Sequence, residues 1–147
     1  MSDSDLINLY SGRILQLAAD IPHLGRLPAP GGSARKRSPL CGSMVTVDLK
    51  MAGGRVTAFA QDVKACALGQ AAASVLGHVV IGRSRAELEA ARVELSAMLK
   101  SGGGVPAAPF QGYEVLIPAR DYKNRHASIL LALEAACEAA SLAEAAA

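Results

Sequence analysis

The chain has 147 residues, 51% of them hydrophobic and 19% charged, with a formal net charge of +2. That is enough for a single domain, residues 1–147, with its own core. Aromatics make up 3% and there is no Trp, so the core has to be built from Ala, Leu, Val and Ile at close contacts. The small charge and the scarcity of stacking rings argue against a nucleic-acid-binding surface.

No charged stub followed by an apolar stretch opens the chain, and the apolar C-terminal region is interrupted by Glu134, Glu138 and Glu144. The expectation is a protein that is neither exported nor membrane-spanning. Three cysteines, an odd number and none close together, do not make a disulfide framework; free thiols in a reducing, cytoplasmic setting are expected instead.

From Asp5 to Ile21 the apolar residues Leu6, Leu9, Tyr10, Ile14, Leu17 and Ala18 recur at helical spacing behind Ser4 as N-cap, which predicts a first amphipathic helix. The stretch "PHLGRLPAPGGSARKRSP" is dense in Pro and Gly and reads as a long surface loop leading to Cys41. Val45, Val47, Leu49 and Met51 then alternate with Thr46, Asp48 and Lys50, and "AGG" precedes "RVTAFAQDV", the pattern of a β-hairpin solvated on one face. An Ala-rich helix follows between Cys66 and Ile81, ending at Gly82, with Cys66 at or just before its start. Ser84 and Glu87 form a capping-box pattern for a third helix through about Leu99.

The Gly102 to Gly104 run lacks the Lys-Ser/Thr ending of a phosphate loop and reads as a connector. "YEVLIPAR" predicts a short third strand or an extended approach. From about Asn124 a long closing helix is expected, with residues 142–147 fraying. Helix, hairpin and then several helices predict an α+β domain in which a small antiparallel β-sheet packs against the α-helices.

Taken singly, the thiols Cys41 and Cys66 are more often inert packing than chemistry, because free Cys is among the most buried residue types. Their settings shift that balance. Cys41 precedes a Gly where backbone can approach a ligand, and Cys66 stands at a helix N-terminus whose dipole suits a thiolate. His126, near the start of the final helix, offers an imidazole nitrogen, although a lone His more often makes a structural hydrogen bond. His23 and His78 read as structural. Lys64 either assists the Cys66 thiolate or is simply solvated. Spacing alone does not bring Cys41, Cys66 and His126 together.

Three blocks of sequence do connect them through a resemblance that covers most of the chain. "SPLCGS" resembles the first cysteine motif, P-x-C-G-D, of iron–sulfur cluster assembly scaffolds of the IscU, SufU and NifU N-terminal type. "KACALGQAAAS…IGRS" resembles the second block of that family, and "HASIL" at 126–130 is similar to its His-Cys-Ser-Ile-Leu. The resemblance implies an IscU/SufU-like fold, with Cys41, Cys66 and His126 as ligands of iron, zinc or a transient iron–sulfur cluster. It also implies a cysteine desulfurase as sulfur donor and iron–sulfur acceptor proteins as recipients. Two thiolates and an imidazole would fill three corners of a tetrahedral site, with water, Ser43, Asp62 or a cysteine of the sulfur donor as candidates for the fourth.

The departures are specific. Ser43 stands where the family has Asp, Ala127 stands where it has a third Cys, and "IPARDYKNR" replaces its Leu-Pro-Pro-Val-Lys chaperone-recognition segment. Cys137 does not replace the missing thiol: eleven residues at a rise of ~1.5 Å put it roughly 16 Å along the helix from His126. The run Arg35, Lys36 and Arg37 reads either as a solvated loop or as a docking patch for an acidic face of the sulfur donor. The expected role is a carrier and binding module, not an enzyme. The alternative is a degenerate homologue acting as an interaction or regulatory protein on the desulfurase system; an enzyme with Cys66 as nucleophile and His126 as base lacks an orienting acid or oxyanion motif.

Overall fold

The computed structural model describes residues 10–39 and 41–146. The first described helix, α1, is Gly12–Ala19; Ser11 caps it by accepting from the Ile14 N–H. Only Ile14 and Leu17 of α1 are buried. The predicted Ser4 cap and the start at Asp5 lie outside the described residues.

A three-stranded antiparallel sheet in the order β1-β2-β3 follows, with β1 Gly32–Arg37, β2 Met44–Ala52 and β3 Arg55–Lys64. The hairpin is the one predicted. Gly53 and Gly54 turn it with φ of +59° and +76°, a left-handed pair that favours glycine. β1 corrects the expectation of a continuous loop up to Cys41. Its inward positions are Gly32 and Ala34, too small to give a strand its usual apolar signature. Their size follows from packing: a Cβ on Gly32 would collide with the Ala139 carbonyl oxygen.

Three further helices follow, the last lying across one face of the sheet and the other two packing against it. These are α2 Ala67–Val79, α3 Arg85–Lys100 and α4 Lys123–Ala146. Cys66 is the N-cap residue of α2, and Ser84 and Glu87 make the reciprocal capping box of α3. α4 crosses behind β1 and β2, burying Ile129, Leu133, Ala136 and Ala140, and it is helical through Ala146.

"YEVLIPAR" is not a strand. Phe110–Asp121 forms a 3-10 segment that buries Phe110, Tyr113, Leu116 and Ala119. Its buried residues recur every third position, the period of a 3-10 helix and not that of a strand, and Pro118 inside it lacks the N–H a ladder would need. The outer sheet face is less wet than a hairpin alone would be. Residues 23–25 run along β3, with the Gln61 N–H donating to the His23 carbonyl and the Gly25 N–H to the Gln61 carbonyl, each at 2.9 Å. Asp48 lies under this loop, fully buried, and binds Arg26 Nε at 2.6 Å and Ser33 Oγ at 2.5 Å. The Arg26 guanidinium holds its carboxyl down to about 2, against the desolvation that opposes it.

Candidate functional site

The two cysteines of the sequence motifs meet at one end of the sheet. Cys41 belongs to the β1–β2 connection, whose neck is closed by the Ser38 N–H donating to the Ser43 carbonyl at 2.8 Å. Gly42, with φ of +71°, turns the chain back toward β2. Cys66 sits one residue before α2, which leaves β3 at the same end. The connection after β1 and the connection after β3 are therefore neighbours because the sheet is antiparallel, and each carries one thiol.

Between the thiols lies a chain of hydroxyls. Cys41 Sγ is 3.2 Å from Ser38 Oγ and 3.1 Å from Ser43 Oγ. Ser128 Oγ, from α4, donates to Ser43 Oγ at 3.1 Å, and it also stands 3.6 Å from Cys66 Sγ. Gly69 makes this possible: a Cβ there would lie 2.6 Å from Ser128 Oγ, so only glycine lets the first turn of α2 approach α4 this closely. Ser43 and Ser128 are buried, whereas Cys41 is exposed and Cys66 half-buried.

This setting acts on Cys41 directly. Hydroxyls aimed at a sulfur stabilise its thiolate, and those of Ser38 and then Ser43 draw the Cys41 thiol down to about 7, outweighing the small cost of desolvation. Cys137 is the opposite case. It is buried in α4, and desolvation pushes its thiol up to about 12. The reading of Cys137 as a core thiol agrees with that environment.

His126 does not join the sulfurs. Residues two apart on a helix point about 200° away from each other, so with Ser128 turned to the thiols, His126 is turned from them. Its Nε2 lies 2.9 Å from the Ala119 carbonyl and 3.0 Å from that of Arg120. Leu99, Lys100, Arg120 and Lys123 line the cleft beside it. Among the described residues no group of three His, Cys, Asp or Glu side chains is placed to hold one ion. Of the three expected ligands, Cys41 and Cys66 are thus linked through hydroxyls, and His126 is bonded to backbone carbonyls. Of the suggested fourth donors, Ser43 is at the site. Asp62 pairs with Thr46 in the sheet register, two positions short of the Met44–Lys64 pair at the sheet end.

The sequence reading passes over Ser38 and Ser128, although both lie within the quoted motifs. Ser128 carries one usable signal: on α4 it shares a face with Arg125 and Leu131, one turn away on either side, whereas His126 does not.

No family model matches the chain, and no curated protein matches it. Solved structures do. The N-terminal part of a nitrogen-fixing NifU-like protein from Brucella abortus superposes with a TM-score of 0.94 at 45% identity, over 97% of this chain and 99% of that one. The chain belongs to the NifU-like family. The fold is shared more widely. A protein described as a putative iron–sulfur cluster assembly scaffold for the SUF system of Fervidobacterium islandicum AW-1 gives a TM-score of 0.77 at 18% identity, over 88% of this chain and 94% of its own. A further crystal structure of a hypothetical protein gives 0.80 at 24% identity, over 92% and 98%. The three-stranded sheet packed with α-helices is the fold that the NifU-like resemblance implied.

Proposed function

We propose that this NifU-like chain is a scaffold that takes up iron and sulfur at Cys41 and Cys66 and carries them as a transient cluster, or as iron or zinc, to acceptor proteins. The observation that carries the reading is the pairing of the two motif thiols through Ser43 and Ser128. Iron and sulfide are cargo here, and the chain's own part is to present sulfur, not to turn over a substrate. A cysteine desulfurase is the proposed sulfur source.

The donor set limits how firmly such cargo is held. A [2Fe–2S] cluster takes four protein donors, usually thiolates, and one copy of the chain offers two thiols backed by hydroxyls. His126 supplies a third donor, as the sequence motif implies, only by giving up its contacts to the Ala119 and Arg120 carbonyls, at about 1–3 kcal/mol for each buried group left unpaired. The remaining corners fall to sulfide, water or a partner's cysteine, and loose holding suits a carrier.

A second reading has its own support. Ser43 and Ala127 stand where the family has Asp and Cys, which fits a homologue that has lost assembly and regulates the desulfurase system by binding alone. Anaerobic reconstitution with iron, sulfide and desulfurase, followed by absorption spectra and metal analysis, separates the two. The scaffold reading expects a chromophore in the wild type and a longer-lived one in Ala127→Cys. A chromophore in the variant alone favours the lapsed homologue; no chromophore and no bound metal in either overturns the scaffold.

A further inference from the structure

The run Arg35-Lys36-Arg37 is divided by the strand that contains it. Alternation along β1 turns Lys36 inward, where it reaches Glu138 of α4 at 3.6 Å, and leaves Arg35 and Arg37 exposed on the outer face. The register then extends this outer face across the sheet. Arg37 pairs with Met44, and Met44 pairs with Lys64, so Arg37 and Lys64 flank one row at the end of the sheet where the chain departs toward Cys41 and Cys66. Arg35 occupies the next outward position of β1, its Nε bonded to Thr46 Oγ1 at 3.3 Å.

Arg35, Arg37 and Lys64 are all exposed, and among the described residues none of them has a carboxylate within ion-pair distance. Arg26 meets Asp48, Lys36 meets Glu138, Arg83 and Arg55 share Glu87, Arg85 meets Glu144 and Arg92 meets Glu89. The outer face carries one carboxylate beside the three cations, Asp62, because Asp48 is already bound by Arg26. Arg125 lies one turn before Ser128 on the same face of α4. A chain of net charge +2 thus sets three exposed cations against one carboxylate at the end of the sheet that leads to Cys41 and Cys66.

From this placement we infer that Arg35, Arg37 and Lys64 form a docking surface for an acidic face of the sulfur-donating protein, which brings the donor's sulfur to Cys41. The inference rests on the proposed scaffold role and names the surface through which its sulfur arrives. Charge of this kind steers encounter and fixes orientation more than it adds affinity. Its position at the sheet end brings a partner docked there within reach of the thiols that would take up its sulfur.

The test is the affinity of the full chain for the source organism's cysteine desulfurase, measured by calorimetry from low to high ionic strength. Arg35→Glu/Arg37→Glu and Lys64→Glu should each weaken the complex, the double reversal by about ten-fold or more at low salt, with the difference shrinking as salt screens the charges. Arg35→Gln/Arg37→Gln should fall between, and Arg13→Glu/Lys100→Glu, an equal change of charge elsewhere, should bind as wild type. Melting temperatures within a few degrees of wild type exclude unfolding as the cause. Unaltered binding by the reversals, or equal loss in the control pair, overturns the docking surface. So does a wild type that ignores the desulfurase but binds duplex DNA or anionic vesicles through these residues. A wild type that reconstitutes a cluster while its desulfurase binding is indifferent to the reversals would sink this inference and leave the scaffold role standing; failure of both cluster formation and binding would sink the two together.

Discussion

Near its start α4 offers Ser128 to two thiols, one of them open to solvent; further along it offers Cys137 to a closed interior. The sulfurs at the two places are chemically the same group, yet hydroxyl donors draw Cys41 down to about 7 and burial pushes Cys137 up to about 12. Two glycines keep the same division. Gly32 lets β1 lie against the Ala139 turn, and Gly69 lets α2 lie against Ser128. One close approach builds the core and the other builds the site, so reactivity here follows from which part of one helix a sulfur faces.

The most damaging way to break this contrast is Gly32→Ala. Its Cβ would meet backbone, which does not rotate away, and a loss of about 3 kcal/mol or more is expected, read as a lower denaturant midpoint. Next in size is the contrast between the thiols themselves. At pH 7 a thiol titrating at about 7 is half ionised and one at about 12 is ionised to about one part in 10⁵. The greater intrinsic nucleophilicity of the second recovers about two orders of magnitude. Alkylation with iodoacetamide, followed by peptide mass spectrometry, should therefore label Cys41 at least about 10²-fold faster than Cys137, and comparable rates in the native state would contradict the assignment.

Acid probes the opposite side of the sheet. Asp48 titrates lower in the folded chain than when unfolded, so its contribution is present above the unfolded value and is lost as pH falls from about 4 toward 2. Its size is about 2 kcal/mol. Asp48→Asn should flatten that part of a stability-against-pH curve. The smallest effect sharpens the comparison most. Gly69→Ala meets the movable end of Ser128 as well as the Ala65 Cβ, and should cost about 1 kcal/mol. Iron retention after reconstitution should fall in Gly69→Ala by more than this loss of stability explains, which a matched core variant such as Ile129→Val would show.

Much of the architecture was legible because the signals are local. The Gly53–Gly54 turn, the Ser84–Glu87 box and the cap at Cys66 each act within a few residues. β1 was hidden because its inward residues are small in order to admit α4, a long-range cause that leaves no apolar alternation. The 3-10 segment is hidden because Tyr113, Val115, Ile117 and Ala119 alternate in the sequence like a strand, whereas the buried positions fall every third residue. At the site, the motifs mark both thiols and His126, but which residue of α4 faces the sulfurs depends on the helical angle, which turns Ser128 toward them and leaves His126 on backbone carbonyls. Ser38 and Ser128, common and unreactive alone, gave no notice that they would join Ser43 around Cys41.

One helix thus carries out two tasks that would otherwise be separable, roofing the domain with its alanines and touching the sulfur pair with a single hydroxyl. Prising that roof open to unload would expose the interior of the whole domain. Under the proposed scaffold role, the least disruptive route for a recipient would be lateral exchange at the outward-facing Cys41, one bond at a time, while the rest of the molecule stays shut.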